Sequence, residues 1–252
     1  MSAPPEPTLL RPLSGLPEVA AGADLAGLLR AAARHGGFEL RGGALVVCQK
    51  VVSKAEGRVV SLADVTPSEE AKRIGEADGK DPRLVELVLR ESLRIVRHAR
   101  GVMICETRHG FVCANAGVDQ SNAADPDSAI LLPVDPDASA AELRRALLGG
   151  DTGTLAVVIS DTFGRPWREG LVDVALGSAG IAPIDDRRGG RDRGGRELQV
   201  TATATADQLA AAAGILMPKD AGIPAVWITG IQITGNGTIR QTLRNPEEDL
   251  FR

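Results

Sequence analysis

Residues 102–122, VMICETRHGFVCANAGVDQSN, decide how the rest of the chain is read. Two apolar, β-branched runs flank Arg108, His109 and Gly110. A three-residue loop closed by a glycine in left-handed backbone is a hairpin connection, and it sets Thr107 opposite Phe111 and Cys105 opposite Cys113. A Cys105–Cys113 disulfide is conceivable in that register, but strained cross-strand geometry and a reducing compartment argue against it. His109 falls at the tip of the turn, where a lone histidine is usually solvated. Past Cys113 the strand gives way to small polar residues: Asn115, Gly117, Asp119, Ser121 and Asn122.

Working outward, 24–35 (DLAGLLRAAARH) has helical spacing and stops at Gly36-Gly37. The apolar run 44–52 (ALVVCQKVV) reads as a strand. PSEEAKRIG and DPRLVELVLRESLRIVRHA read as helices, the second with Asp81 as cap and Pro82 at its first position. Capping-box patterns mark helices at Ser139/Glu142 and at Thr205/Gln208. TLAVVIS (154–160) is a strand, WREGLVDVALGSAG a helix packed by small residues, and 185–198 a charged loop. LQVTATAT and AVWITGIQI are further strands. Strands and helices mix without regular βαβ alternation, which predicts an α+β fold with mixed, largely antiparallel sheets and flanking helices. Residues 1–12 read as a flexible, Pro-rich lead; 13–252 read as one catalytic unit or two intertwined subdomains.

Composition excludes several function classes. The net charge of −4 provides no basic field for nucleic acid, and aromatics at 2% with no Tyr leave little to stack bases on. No run of 18 apolar residues occurs, and the amino terminus lacks a signal-peptide pattern, so a cytoplasmic protein without a membrane span is expected. The three cysteines have no zinc-like spacing and read as buried, reduced thiols. There is no P-loop and no Rossmann glycine fingerprint.

What remains is a pair of acids at strand ends. Asp119 closes FVCANAGVD and Asp161 closes LAVVISD, with Thr162 beside it. Brought together, they form an oxygen-rich site for a hard divalent cation, which takes its other ligands from water and phosphate. Strand-end aspartates are also common as turn and cap residues. Lys54 and Arg58, just past an apolar run, suit phosphate oxygens or a solvated turn. Arg165 and Arg168 stand near Asp161 and suit either its neutralisation or an anionic substrate.

Taken together, GLPEV, VVCQKVVSKAEGR, CANAGVDQSN, LLPVDPDASA, VVISDTFGRPWREG, RDRGGRELQVT, ATADQLAAAAGILM and GIPAVWITG resemble the coenzyme F420-0:L-glutamate ligase family, in order and over roughly residues 13–251. The resemblance implies a GTP-dependent ligase that adds L-glutamate, and in some relatives further γ-linked glutamates, to coenzyme F420-0 in F420 biosynthesis. It implies a family-specific fold, Mg²⁺ or Mn²⁺, a monovalent cation such as K⁺, and a homodimer. By position, Asp119, Asp161 and Thr162 match metal ligands. Leu16, Pro17, Glu18, Val19, Gln49, Lys54 and Asn122 match nucleotide contacts. Gln49 departs from the small hydroxyl residue usual in the family, and MPKDAGIP departs from the more usual Gly-Lys near Lys219. Asp119, Asp161 and Lys54 are the expected catalytic set. Arg165 and Arg168 are the candidates for substrate carboxylates. Actinobacterial relatives carry a flavin reductase domain after this unit; none is expected after Arg252. The competing readings are a related ligase with another acceptor or nucleotide, and a non-catalytic metal- or nucleotide-binding module.

Overall fold

The structure, a computed structural model, describes residues 6–123, 125–151, 153–245 and 247–249. The first elements are β1 (Leu9–Leu13), α1 (Leu25–His35), β2 (Ala44–Cys48), α2 (Gln49–Ala55), β3 (Val59–Ser61), α3 (Glu69–Asp78) and α4 (Pro82–Glu91). Then come β4 (Ser92–Ala99), β5 (Val102–Thr107), β6 (Val112–Ala114), β7 (Ser128–Ile130), α5 (Pro136–Leu148), β8 (Ala156–Arg165) and β9 (Arg168–Ala179). The last are β10 (Ile184–Asp186), β11 (Ala202–Ala204), α6 (Thr205–Gly214) and β12 (Ala225–Thr229).

A five-stranded sheet in the order β1-β12-β2-β8-β9 carries the core. Its neighbours pair antiparallel except β2 and β8, which run parallel from Ala44↔Ala156 to Cys48↔Ser160. Alternation along the strands sends Leu45, Val47, Val157 and Ile159 to one face, under Leu29 of α1 and Leu143 of α5. Val46, Val158, Val226 and Ile228 point to the other face, under Ala206, Leu209 and Ala213 of α6. A second cluster packs α3 and α4 against β5 through Ile74, Val85, Val88, Met103 and Cys105. Smaller sheets, β3-β7, β4-β5-β6 and β10-β11, complete the α+β arrangement.

The 102–115 hairpin forms as expected: the Thr107 amide donates to the Phe111 carbonyl at 2.8 Å, and Cys105 pairs with Cys113. Gly110 takes a φ of 93°, and all three cysteines are free. Helix α1 starts on Asp24, whose carboxylate accepts from the Gly27 amide at 2.9 Å; α4 starts on Asp81 with Pro82 in its first turn. Caps of this kind stabilise by roughly 1 kcal/mol each.

Several expectations are corrected. Within the stretch 1–12 expected as a flexible lead, Leu9–Pro12 belongs to β1 and pairs along β12; residues 1–5 lie outside those described. The run 44–52 is a strand only to Cys48, whose amide donates to the Pro224 carbonyl, and the rest is α2. A short apolar run fits either period, and here helical spacing prevails. The long helix 81–99 ends at Glu91, since Ser92–Ala99 pairs with β5. Both capping boxes fail. Asp135 caps α5 one turn earlier, followed by Pro136, and Ser139 lies inside the helix, while Thr205 caps nothing. LQVTATAT is strand only over Ala202–Ala204, and AVWITGIQI only over Ala225–Thr229. His109 is not solvated: its Nε2 lies 2.9 Å from the Pro133 carbonyl and its ring stacks on Phe111.

The largest correction is 167–180, which forms β9 and not a helix. Gly170, Gly177 and Gly180 weaken a helix there, and Val172 and Val174 pair well across to Phe163 and Asp161. Gly177 is also required by packing: a Cβ on it would lie 2.1 Å from the Pro136 carbonyl oxygen. Gly177→Ala is therefore expected to destabilise by about 1–3 kcal/mol, as overpacking does, read as a lowered midpoint in denaturant at unchanged slope.

Candidate active site

The parallel pairing of β2 and β8 ends at Cys48↔Ser160, and just beyond it both stretches of chain carry functional groups. After Cys48 it enters α2, which carries Lys50 and Lys54 four residues apart, on one side of the helix. After Ser160 it reaches Asp161 and Thr162. The Asn115–Gly117 turn brings Asp119 in from the second cluster, with Asn115 and Ala116 at φ of 51° and 52°. A cavity of about 490 Å³ opens between these segments.

Leu16, Pro17, Glu18 and Val19 line that cavity, as do Lys54 and Asn122. Asp119, Asp161 and Thr162 line it too. Gln49 does not. It is fully buried, and its side-chain oxygen accepts from the Ser53 hydroxyl at 2.8 Å, one turn along α2. Arg165 and Arg168 do not line it either. Because β8 continues through Asp161, they pair with each other at the far end of the β8–β9 hairpin, where the Arg165 guanidinium donates to the Glu169 carbonyl. Arg58 is also absorbed structurally, donating to the Leu132 carbonyl and to Glu91, each at 2.9 Å.

The electrostatics separate the two acids. Burial pushes the Asp119 carboxyl up, but the Lys50 ammonium at 2.7 Å and the Ser121 amide and hydroxyl outweigh it, so Asp119 sits below the usual aspartate range. Asp161 is pushed up to about 6, chiefly by burial, with the charges of Asp119 and Asp173 adding to it against the Thr162 amide and Lys50. Lys54 is 8% exposed and donates to Glu18. The nearby thiols are inert: burial holds Cys48 at about 11 and Cys113 at about 12.

The residues fit a hard divalent cation. Asp119, Asp161 and Thr162 present oxygen only, the donor set of Mg²⁺ and Mn²⁺. Among the described residues no three His, Cys, Asp or Glu converge as a metal cluster. Mg²⁺ does not need one, since it uses one or two carboxylates and keeps waters or phosphate. On the same cavity, Ser160 Oγ and Asn115 Oδ1 are buried with no hydrogen-bond partner among the described residues, so the wall has polar atoms that a bound group would satisfy.

A family model described as F420-0:Gamma-glutamyl ligase matches residues 15–230. The chain belongs to the F420-0:gamma-glutamyl ligase family. It is 49% identical over 245 residues to the coenzyme F420:L-glutamate ligase of Methanothermobacter thermautotrophicus, covering 95% of this chain and 97% of that one. It is 47% identical over 257 residues to the protein of the same name from Methanopyrus kandleri, covering 98% of each chain. To that of Archaeoglobus fulgidus it is 41% identical over 242 residues, covering 96% of this chain and 95% of the other.

In this F420-0:gamma-glutamyl ligase family member, the site also contains residues that sequence reasoning missed. Lys50 was hidden because 44–52 read as a strand; as a helix, the four-residue spacing of Lys50 and Lys54 shows both. Asp173 was hidden by the helical reading of β9. On the strand it stands opposite Thr162, whose hydroxyl donates to it at 2.7 Å. Met217, Pro218 and Lys219, which follow α6, close another side of the cavity.

Asp161 also sets a pH dependence for the metal-free protein. Its folded value near 6 is above its ordinary 3.8, so the stability it contributes is full below about 4 and is lost as pH rises through 6. Melting temperatures in chelator should therefore show Asp161→Asn gaining on wild type between about pH 4 and 7. A constant difference across that range would contradict the shift.

Proposed function

We propose that the protein is a GTP-dependent ligase that joins L-glutamate to coenzyme F420-0, with the capacity to add further γ-linked glutamates. The single observation that carries this reading is convergence: four sequence-distant segments, around 16–19, 54, 119–122 and 161–162, line one cavity. Those are the segments in which the family resemblance locates nucleotide and metal contacts. The family's description supplies the acceptor F420-0, and the relatives' names supply L-glutamate.

An amide from a carboxylate and an amine needs an activated acyl group. The terminal phosphoryl group of GTP passes to the carboxylate of F420-0, giving an acyl phosphate and GDP. The glutamate amine then attacks the acyl carbon, phosphate leaves with the bonding pair, and the amine gives up a proton. For such a transfer the protein contributes mostly position and charge. Lys54, on a helix and nearly out of solvent, holds phosphate charge. Leu16–Val19 and Asn122 hold the nucleotide. Asp119, Asp161 and Thr162 would hold Mg²⁺ or Mn²⁺, which supplies charge neutralisation at the phosphates when bound. A monovalent cation such as K⁺ belongs to the same proposal.

We place the enzyme in the cytoplasm, as three free thiols, two of them buried, suit a reducing compartment. We also propose a homodimer. Leu93, Val96, Val102 and Val112 are exposed on the β4-β5-β6 sheet, an apolar patch of the kind that partners cover. Sedimentation velocity reads this directly. The test of the function is a product mass spectrum after incubation of F420-0 with glutamate, GTP and Mn²⁺. A stepwise gain of glutamyl units supports it. Unchanged F420-0 with any nucleotide would refute it, and gain with ATP alone would move the nucleotide assignment.

A further inference from the structure

Lys50 is 8% exposed, on the first turn of α2, inside the cavity. Its Nζ lies 2.7 Å from Asp119 Oδ2 and donates to Ser121 Oγ at 2.6 Å. The Ser121 hydroxyl in turn donates to the same Asp119 oxygen at 2.8 Å, while the Ser121 amide holds the other, Oδ1, at 2.7 Å. The Lys50 charge also acts on Asp161. An ammonium is thus bonded to one acid and in the field of the other. Lys54, the neighbouring buried cation, is directed elsewhere, to Glu18.

An Asp119 oxygen that would hold a divalent cation would not also keep a close ammonium, because the two positive charges would share one lone-pair region. We propose that Lys50 is a built-in competitor for the metal position: it holds Asp119 Oδ2 in the metal-free protein and must release it for metal to bind. This rests on the reading of Asp119 and Asp161 as metal ligands. The released Nζ remains in the cavity as a free cation, in reach of an anionic group such as a phosphate. Metal loading thereby creates a phosphate-seeking charge, so divalent metal and polyphosphate bind as a coupled pair. Lys50 is in this respect a positioning residue, and its stem length and the Ser121 contact define where the ammonium waits.

The test is binding of Mn²⁺ alone, followed by loss of the free-ion signal in electron paramagnetic resonance, without nucleotide. Lys50→Met is expected to bind Mn²⁺ on the order of 10-fold to 100-fold tighter than wild type, the equivalent of one charge-assisted bond no longer displaced. Lys50→Gln, which keeps a polar end one atom nearer the backbone and without charge, should behave alike. Lys54→Met removes a nearby cation that does not touch Asp119, and direct competition requires its effect to be much smaller. Equal gains in Lys50→Met and Lys54→Met would overturn the competition in favour of a general field. Unchanged or weaker Mn²⁺ binding in both Lys50 variants, with Asp119→Asn still abolishing it, would overturn the competition and leave the metal site standing. Mn²⁺ binding that persists in Lys50→Met/Asp119→Asn would overturn both.

Discussion

Asp119→Asn and Asp161→Asn are expected to fold and to lose metal-dependent turnover on the order of 10³-fold or more, the equivalent of several kcal/mol of transition-state stabilisation. The two positions differ in how the loss should appear. Asp119 is ionised and pinned by Lys50 and Ser121, so the amide removes a formal charge and leaves the Lys50 ammonium buried without its counter-charge. That variant should lose turnover and some stability together. Asp161 is the acid that burial already pushes towards its neutral form. An amide there resembles the protonated carboxyl, so the fold should be kept or strengthened near neutral pH while turnover falls. Measuring kcat/KM beside thermal melts for both variants separates the two cases. Near-normal turnover in either would remove that residue from the metal assignment.

The contrast explains how much could be read from the chain. Asp119 and Asp161 were legible because each closes an apolar run, Thr162 because it stands beside Asp161, and Asn122 because the motif around it resembles a known family. Their convergence needed the β2–β8 parallel pair, a contact between residues more than a hundred positions apart that no local pattern encodes. The hairpin at 102–115 was legible because glycine at a left-handed position leaves few alternatives. The three misassigned elements share one cause. At 44–52, 81–99 and 167–180 apolar residues suit two periods, and long-range pairing chose between them. Those same errors hid Lys50 and Asp173 and drew Arg165 and Arg168 towards the site. The strand that continues past Ser160 carries both arginines away along the hairpin.

Lys54→Met should lower turnover on the order of 10²-fold to 10³-fold, comparable with removing one preorganised donor from a developing negative charge. The argument begins with its position. Lys54 is on the last turn of α2, its ammonium reaches Glu18, and the Glu18 side chain is 65% exposed. The glutamate can therefore be rehydrated when its partner is lost, and little stability should go with it. A charge nearly out of solvent, paired among the described residues with a solvated acid that lines the cavity, is available to an incoming anion at small cost. Glu18→Gln tests this directly, because it leaves the Lys54 ammonium in place and removes only its resting partner. It should cost far less than Lys54→Met. Lys54→Arg should recover only part of the rate, since a planar fork does not occupy the place of a compact ammonium. Equal losses in Glu18→Gln and Lys54→Met would mean that the pair acts as a structural clasp on residues 16–19, and Lys54 would no longer stand as a phosphate contact.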